Sequence, residues 1–150
     1  MYEKILVPLD GSKESECVID HVRIIAKGCA TPKVILLRVI EPYSPSLANY
    51  VGEPAAKKVR EGDRRTAEEY LSYAADSLRS FCGGTEVVVL EGNAANEIVE
   101  YATKNKVDLI AMSTHGKSGI VRWAVGSVTR HVMDHWRGAL LTIPPAGCRP

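Results

Sequence analysis

The sequence predicts an open parallel α/β sheet with helices on both faces, and three observations carry that expectation. Short aliphatic runs at 4–9, 33–39, 85–90, 107–112 and 139–143 alternate with longer segments of helical periodicity. The second run is apolar at nearly every position, which suits a strand covered on both sides and hence a parallel sheet. Right-handed crossovers then leave only a few strand orders. At 150 residues the chain reads as one domain, spanning 1–150, with length enough for a proper core.

Each element has a local reason. The first strand is stopped by Asp10-Gly11-Ser12, where Asp10 or Ser12 can cap the following helix. That helix is expected to run to about Lys27, with Val18, Ile19, Val22, Ile25 and Ala26 inward and Gly28 as its stop. Residues 41–55 carry three prolines and a glycine and read as a long loop, the kind that often forms a lid or a contact surface. A long helix at about 56–81 gathers Ala67, Tyr70, Leu71, Ala74, Leu78 and Phe81 into one stripe. Its first half mixes acids with bases and reads as a solvated face, with Gly62 marking a kink or a late start. Gly83-Gly84 ends it before the third strand. Asn93 caps a helix at 94–104 that turns Ile98, Val99 and Ala102 inward. The fourth strand leads into a glycine-containing loop, a helix at 126–137 and the fifth strand. The tail from Pro144 reads as loose.

Composition narrows the function classes. A formal net charge of +1 offers no basic excess for nucleic acid. No apolar run approaches the roughly 18 residues that span a bilayer. The N-terminal apolar stretch is too short for a secretory signal, so the expected address is cytoplasmic. Cys17, Cys29, Cys82 and Cys148 show no Cys-x-x-Cys pair and read as free thiols.

The stretch Met112-Ser-Thr-His-Gly-Lys-Ser-Gly-Ile-Val-Arg-Trp-Ala-Val-Gly-Ser-Val128 carries most of the chemistry. A glycine-rich turn between a parallel strand and a helix N-terminus lets backbone N–H groups and the helix dipole meet phosphate. In such sheets ligands sit beyond the C-terminal strand ends, where strand order reverses. Asp10-Gly11-Ser12 and the 112–127 loop meet there if the first and fourth strands are neighbours.

These residues resemble the universal stress proteins of the UspA type, over nearly the whole chain. The resemblance rests on Ile5-Leu-Val-Pro-Leu-Asp-Gly-Ser12, on Asp108-Leu-Ile-Ala-Met-Ser-Thr-His-Gly-Lys-Ser-Gly119 and on Val125-Gly-Ser-Val-Thr-Arg130. It implies a Rossmann-like sheet of five parallel strands in the order 3-2-1-4-5. The ATP-binding members carry Gly-x2-Gly-x9-Gly-Ser/Thr. Here Gly116 and Gly126-Ser127 match, and Ser113 stands at the first glycine, a position a serine fills only with negative φ or a relaxed turn. By that resemblance Asp10 reaches the ribose or a Mg²⁺ ion. Pro8 and Val39 line the adenine slot with Met112 as its floor. Backbone around Ser113, His115 and Gly116 holds sugar and phosphates, and Gly126, Ser127, Val128 and Thr129 hold phosphates at the helix N-terminus. Asp10 and Ser127 also have a simpler reading as helix caps, and both roles can coexist. Lys117 and Arg122 either screen phosphate or are solvated, and Trp123 reads as a packing or interface anchor.

Three look-alikes fall away. Gly116-Lys117-Ser118 mimics the end of a P-loop, but its leading glycine would have to be Ala111. His131 and His135 share a helical face without the glutamate of a zinc protease. No nucleophile-elbow serine occurs, and no residue stands out as a general base. The resemblance implies an ATP-binding, nucleotide-responsive regulatory module in a stress response with an unknown protein partner, and the lack of an evident general base points to slow or no hydrolysis. The family implies a homodimer through the last strand, and Ala139-Leu-Leu-Thr-Ile143 has the composition of an edge that pairs with its twin. A slow ATPase or nucleotidyl-transfer enzyme, and a dimeric interaction protein that lost its nucleotide through Ser113, are the alternatives.

Overall fold

In the computed structural model, residues 1–43, 49–115 and 125–144 are described. The strands are β1 (Lys4–Pro8), β2 (Lys33–Ile40), β3 (Thr85–Glu91), β4 (Leu109–Ser113) and β5 (Ala139–Ile143). The helices are α1 (Lys13–Glu16), α2 (Val18–Cys29), α3 (Glu53–Asp76), α4 (Ala94–Lys104) and α5 (Ser127–His135). The five strands form one sheet in the order β3-β2-β1-β4-β5, parallel at every pair. β1 lies at the centre, with Ile5 and Leu6 opposite Leu109 and Ile110 on one side and Val34 and Ile35 on the other. The order reverses there, so the first and fourth strands are neighbours, as the convergence of the two turns requires.

Alternation along the strands divides the core into two layers. One face sends Ile5, Val7, Val34 and Leu36 against Val18 and Val22 of α2 and Leu71 of α3. The other sends Leu6, Ile35, Leu37 and Met112 against Ile98 of α4 and Val132 of α5. Strands buried on both faces need aliphatic residues at every position, which is why 33–39 carries so few polar side chains.

Several boundaries differ from the sequence reading. The first helix is broken at Cys17 into α1 and α2. Gly28 does not stop α2. The chain runs on to Cys29, and Ala30 takes the left-handed cap at φ 50°. The long helix begins at Glu53, within the segment expected to be loop, because Pro54 falls in the first turn, where its missing N–H costs nothing. It ends at Asp76, short of Phe81. Gly62 lies within the helix, and its carbonyl accepts the Thr66 hydroxyl at 2.9 Å. Cys29 and Cys82 are free thiols as expected, whereas Cys17 is disulfide-bonded and corrects that expectation. Among the described residues no helix is long and apolar enough to cross a membrane.

Candidate functional site

The C-terminal ends of β1, β2 and β4 open onto a cavity of about 680 Å³. That volume lies within the usual range for small-molecule sites. Pro8 and Asp10 border it from β1 and its turn, Val39 from β2, and Met112, Ser113 and His115 from β4 and the residues after it. Gly126, Ser127, Val128 and Thr129 close it from the start of α5. Gly116 lies outside the described residues, as do Lys117, Arg122 and Trp123.

The β1–α1 turn is fixed by its own side chains. Asp10 Oδ1 accepts the Ser12 backbone N–H at 2.9 Å and the Ser12 hydroxyl at 2.5 Å. Ser12 is the N-cap of α1, its Oγ accepting the Ser15 N–H at 3.1 Å. Of the two candidate caps, Ser12 fills the role and Asp10 supports it. Gly11 has φ +84°, a left-handed conformation that glycine takes without strain.

The β4 side is tied to α5. The Gly126 N–H donates to the Thr114 carbonyl at 2.8 Å. The Thr129 hydroxyl, itself buried, donates to the Ser113 carbonyl at 3.0 Å. Gly126 is the N-cap of α5 and makes no side-chain capping bond, so Ser127 sits one residue inside the helix rather than capping it. The first-turn N–H groups of α5 thus have no side-chain acceptor among the described residues. A Cβ on Gly126 would stand 3.0 Å from the Thr114 carbonyl oxygen, so the residue at this crossing has to be small. Ser113 is absent from the residues with positive φ, which meets the condition that lets a serine stand at the first motif glycine. Its hydroxyl turns back to donate to the His115 carbonyl. His115 pairs through Nδ1 with the Thr114 hydroxyl at 2.9 Å. Its Nε2 is buried with no hydrogen-bond partner among the described residues.

Sequence reasoning missed the outer wall. Arg38, Tyr43, Asp63 and Thr66 also line the cavity. Arg38 carried a legible signal, a single cation near the end of an otherwise aliphatic strand. The other three come from distant segments that only packing brings together. The Tyr43 hydroxyl donates to Asp63, and that bond raises the Tyr43 pKa. The Tyr70 ring lies below Arg38, 5.6 Å from its guanidinium carbon. Burial, and then its hydrogen bond to Glu16 at 2.9 Å, pushes the Tyr70 phenol far above its usual value, so the ring stays neutral. His131 and His135 stack with centroids 3.9 Å apart. Among the described residues no cluster of three or more His, Cys, Asp or Glu side chains is placed to hold a metal.

The profile of the universal stress protein family matches residues 1–144. The chain belongs to the universal stress protein family. It is 32% identical to the universal stress protein MJ0531 of Methanocaldococcus jannaschii, over 95% of this chain and 82% of that one. The solved structure of MJ0577 superposes with a TM-score of 0.83 at 28% identity, covering 96% of each chain. A universal stress protein from Archaeoglobus fulgidus, solved in complex with dAMP, shares the fold at a TM-score of 0.64 and 20% identity, over 95% of this chain and 98% of that one.

Proposed function

We propose that this universal stress protein binds a nucleotide, ATP in the first place, and works as a nucleotide-responsive regulatory module with slow or no hydrolysis. One observation carries the reading. Turns far apart in the sequence converge on a single cavity whose wall includes a helix N-terminus without a side-chain cap. The residues fit the group. Pro8, Val39 and Met112 offer an apolar slot for a purine. Ser127, Thr129 and the N–H groups of α5 suit phosphate oxygens. The orphaned Nε2 of His115 supplies a further polar contact beside them. Asp10 is the group for the ribose. Ser113 does not oppose the reading, because its hydroxyl is engaged with the His115 carbonyl. The dAMP complex of the Archaeoglobus relative supports it by likeness.

Mg²⁺ fits as a companion of the phosphates, with Asp10 as its protein contact, rather than as a resident metal. The rest of the assignment follows the same reading: one domain over 1–150, a cytoplasmic address, and a homodimer through β5. That strand is the sheet's edge, and Ala139, Leu140, Leu141 and Thr142 along it are only half-buried.

The test is to heat-denature purified protein and chromatograph the supernatant, with a thermal-shift titration of ATP beside it. Released ATP, or a rise in melting temperature with ATP, supports the proposal. A sample that is empty and also indifferent to added ATP, ADP and AMP overturns it. Release of ADP together with steady phosphate production would move the assignment to the enzyme class.

A further inference from the structure

Arg38 occupies a position that the purine, ribose and phosphate contacts above leave unused. It precedes Val39 on β2, and successive strand residues face opposite sides of a sheet. Val39 packs with the layer that holds Met112, whereas Arg38 turns toward α3 and the β1–α1 turn. A Cβ on Gly11 would stand 2.6 Å from Arg38 Nη1, so the guanidinium lies directly against the turn that carries Asp10. The Tyr70 ring supports it from below. Tyr70 is held in turn by Glu16.

This cation has no acid partner among the described residues, unlike five other arginines. Arg23, Arg60, Arg64, Arg65 and Arg79 each pair with a carboxylate. Arg38 enters no ion pair or hydrogen bond among the described residues. A half-buried guanidinium offers five N–H donors in a rigid fork matched to phosphate. Of the three acids bordering the cavity, Asp63 already accepts the Tyr43 hydroxyl, Asp10 is engaged with Ser12, and Glu41 is exposed to solvent.

We propose that Arg38 forms a second anion subsite, and that the preferred ligand is a nucleotide carrying a phosphate on its ribose 2′ or 3′ oxygen in addition to the 5′ end. The inference rests on the nucleotide reading above and specifies its ligand. In dinucleotide sites of parallel sheets, a carboxylate at the ribose reads a free hydroxyl and a nearby arginine accommodates a ribose phosphate. Here the two stand at the same turn. Spacing agrees as well. β2 and β4 flank β1, so the strand that carries Arg38 lies roughly 10 Å from the one that leads to α5. A ribose phosphorylated at both ends, together with the reach of an arginine, bridges that gap.

Binding of AMP, adenosine 3′,5′-bisphosphate and adenosine 2′,5′-bisphosphate to the full chain, measured by calorimetry, tests the proposal. The expected result is one bisphosphate binding about tenfold tighter than AMP, the scale of a bidentate arginine–phosphate contact. Arg38→Met should abolish that preference while AMP affinity stays within about threefold, and Arg38→Lys should keep part of it. Wild-type protein that binds AMP but gains nothing from either second phosphate overturns the inference and leaves the nucleotide reading intact. So does an Arg38→Met variant that weakens all three ligands alike. Wild-type protein that binds none of the three overturns the inference, and the ATP titration above then decides the nucleotide reading. The wild-type comparison decides even if Arg38→Met does not fold.

Discussion

Thr129→Val is the sharpest perturbation of the joint between β4 and α5. Thr129 is 3% exposed, and its hydroxyl donates to the Ser113 carbonyl at 3.0 Å across 16 residues of sequence. Valine keeps the volume and the branching and removes only the donor. Leaving a buried acceptor short of its partner costs ~1–3 kcal/mol, and about 1.5 kcal/mol is the expected loss here. At ~2–4 °C per kcal/mol for a chain of this size, the melting temperature should fall by ~3–6 °C. With a urea slope of ~2 kcal/mol per molar, the unfolding midpoint should fall by ~0.7 M with the slope unchanged. The same variant should show a smaller ATP-induced rise in melting temperature, because the first turn of α5 loses a tether at the cavity. Urea curves of variant and wild type that superimpose would refute the claim that this bond anchors the helix. A destabilised variant with a full ATP response would separate the anchor from the ligand.

Two further outcomes follow from the packing. Leu71 is fully buried between α3 and the sheet, so Leu71→Ala should cost ~3 kcal/mol by urea unfolding, through lost transfer energy and a residual cavity. Tyr70 has a folded-state pKa raised by burial first and by Glu16 second. A raised value means that its contribution is fully present below the unfolded pKa of ~10 and is lost as pH rises toward the folded one. Melting curves between pH 8 and 11.5 (about the range of phenol titration) should therefore show wild type losing stability faster than Tyr70→Phe above pH ~10. Parallel curves would show that the phenol is not held in its neutral form.

The sheet was legible because its signal is local. An aliphatic run such as Val34-Ile-Leu-Leu37 has no other way to bury every side chain than to lie inside a sheet covered on both faces. Helix ends were less legible because competing residues decide them. Gly28 carries the usual stop signal, yet Ala30 takes the left-handed cap, its N–H bonding to the Ala26 and Lys27 carbonyls. Pro54 read as a loop residue although a proline also opens helices. At the cavity, the turn after β1 and the loop after β4 marked Asp10, Met112, Ser113 and Gly126 as candidates, and all four line its wall. Tyr43, Asp63 and Thr66 were not, since they reach the cavity only through the packing of α3 beside the end of β2.

The geometry of the cavity comes from the sheet rather than from the turns that border it. β1 is paired on both sides, and the sheet's bonds continue past the strand ends, with the Leu9 N–H on the Leu37 carbonyl at 2.9 Å and the Thr114 N–H on the Ile143 carbonyl at 2.9 Å. Those bonds set where Asp10 and Ser113 begin. The side chains beyond them are free to differ without disturbing the core, since loops on a rigid scaffold tolerate change far better than strands do. Arg38 lies on β2 but outside the two buried layers, so its substitution should redirect ligand choice with little loss of fold. Substitution at Leu71 should do the reverse. Thr129 belongs to both regimes: it is buried like a core residue and faces the cavity like a ligand group, so fold and binding should fall together there and nowhere else among these three.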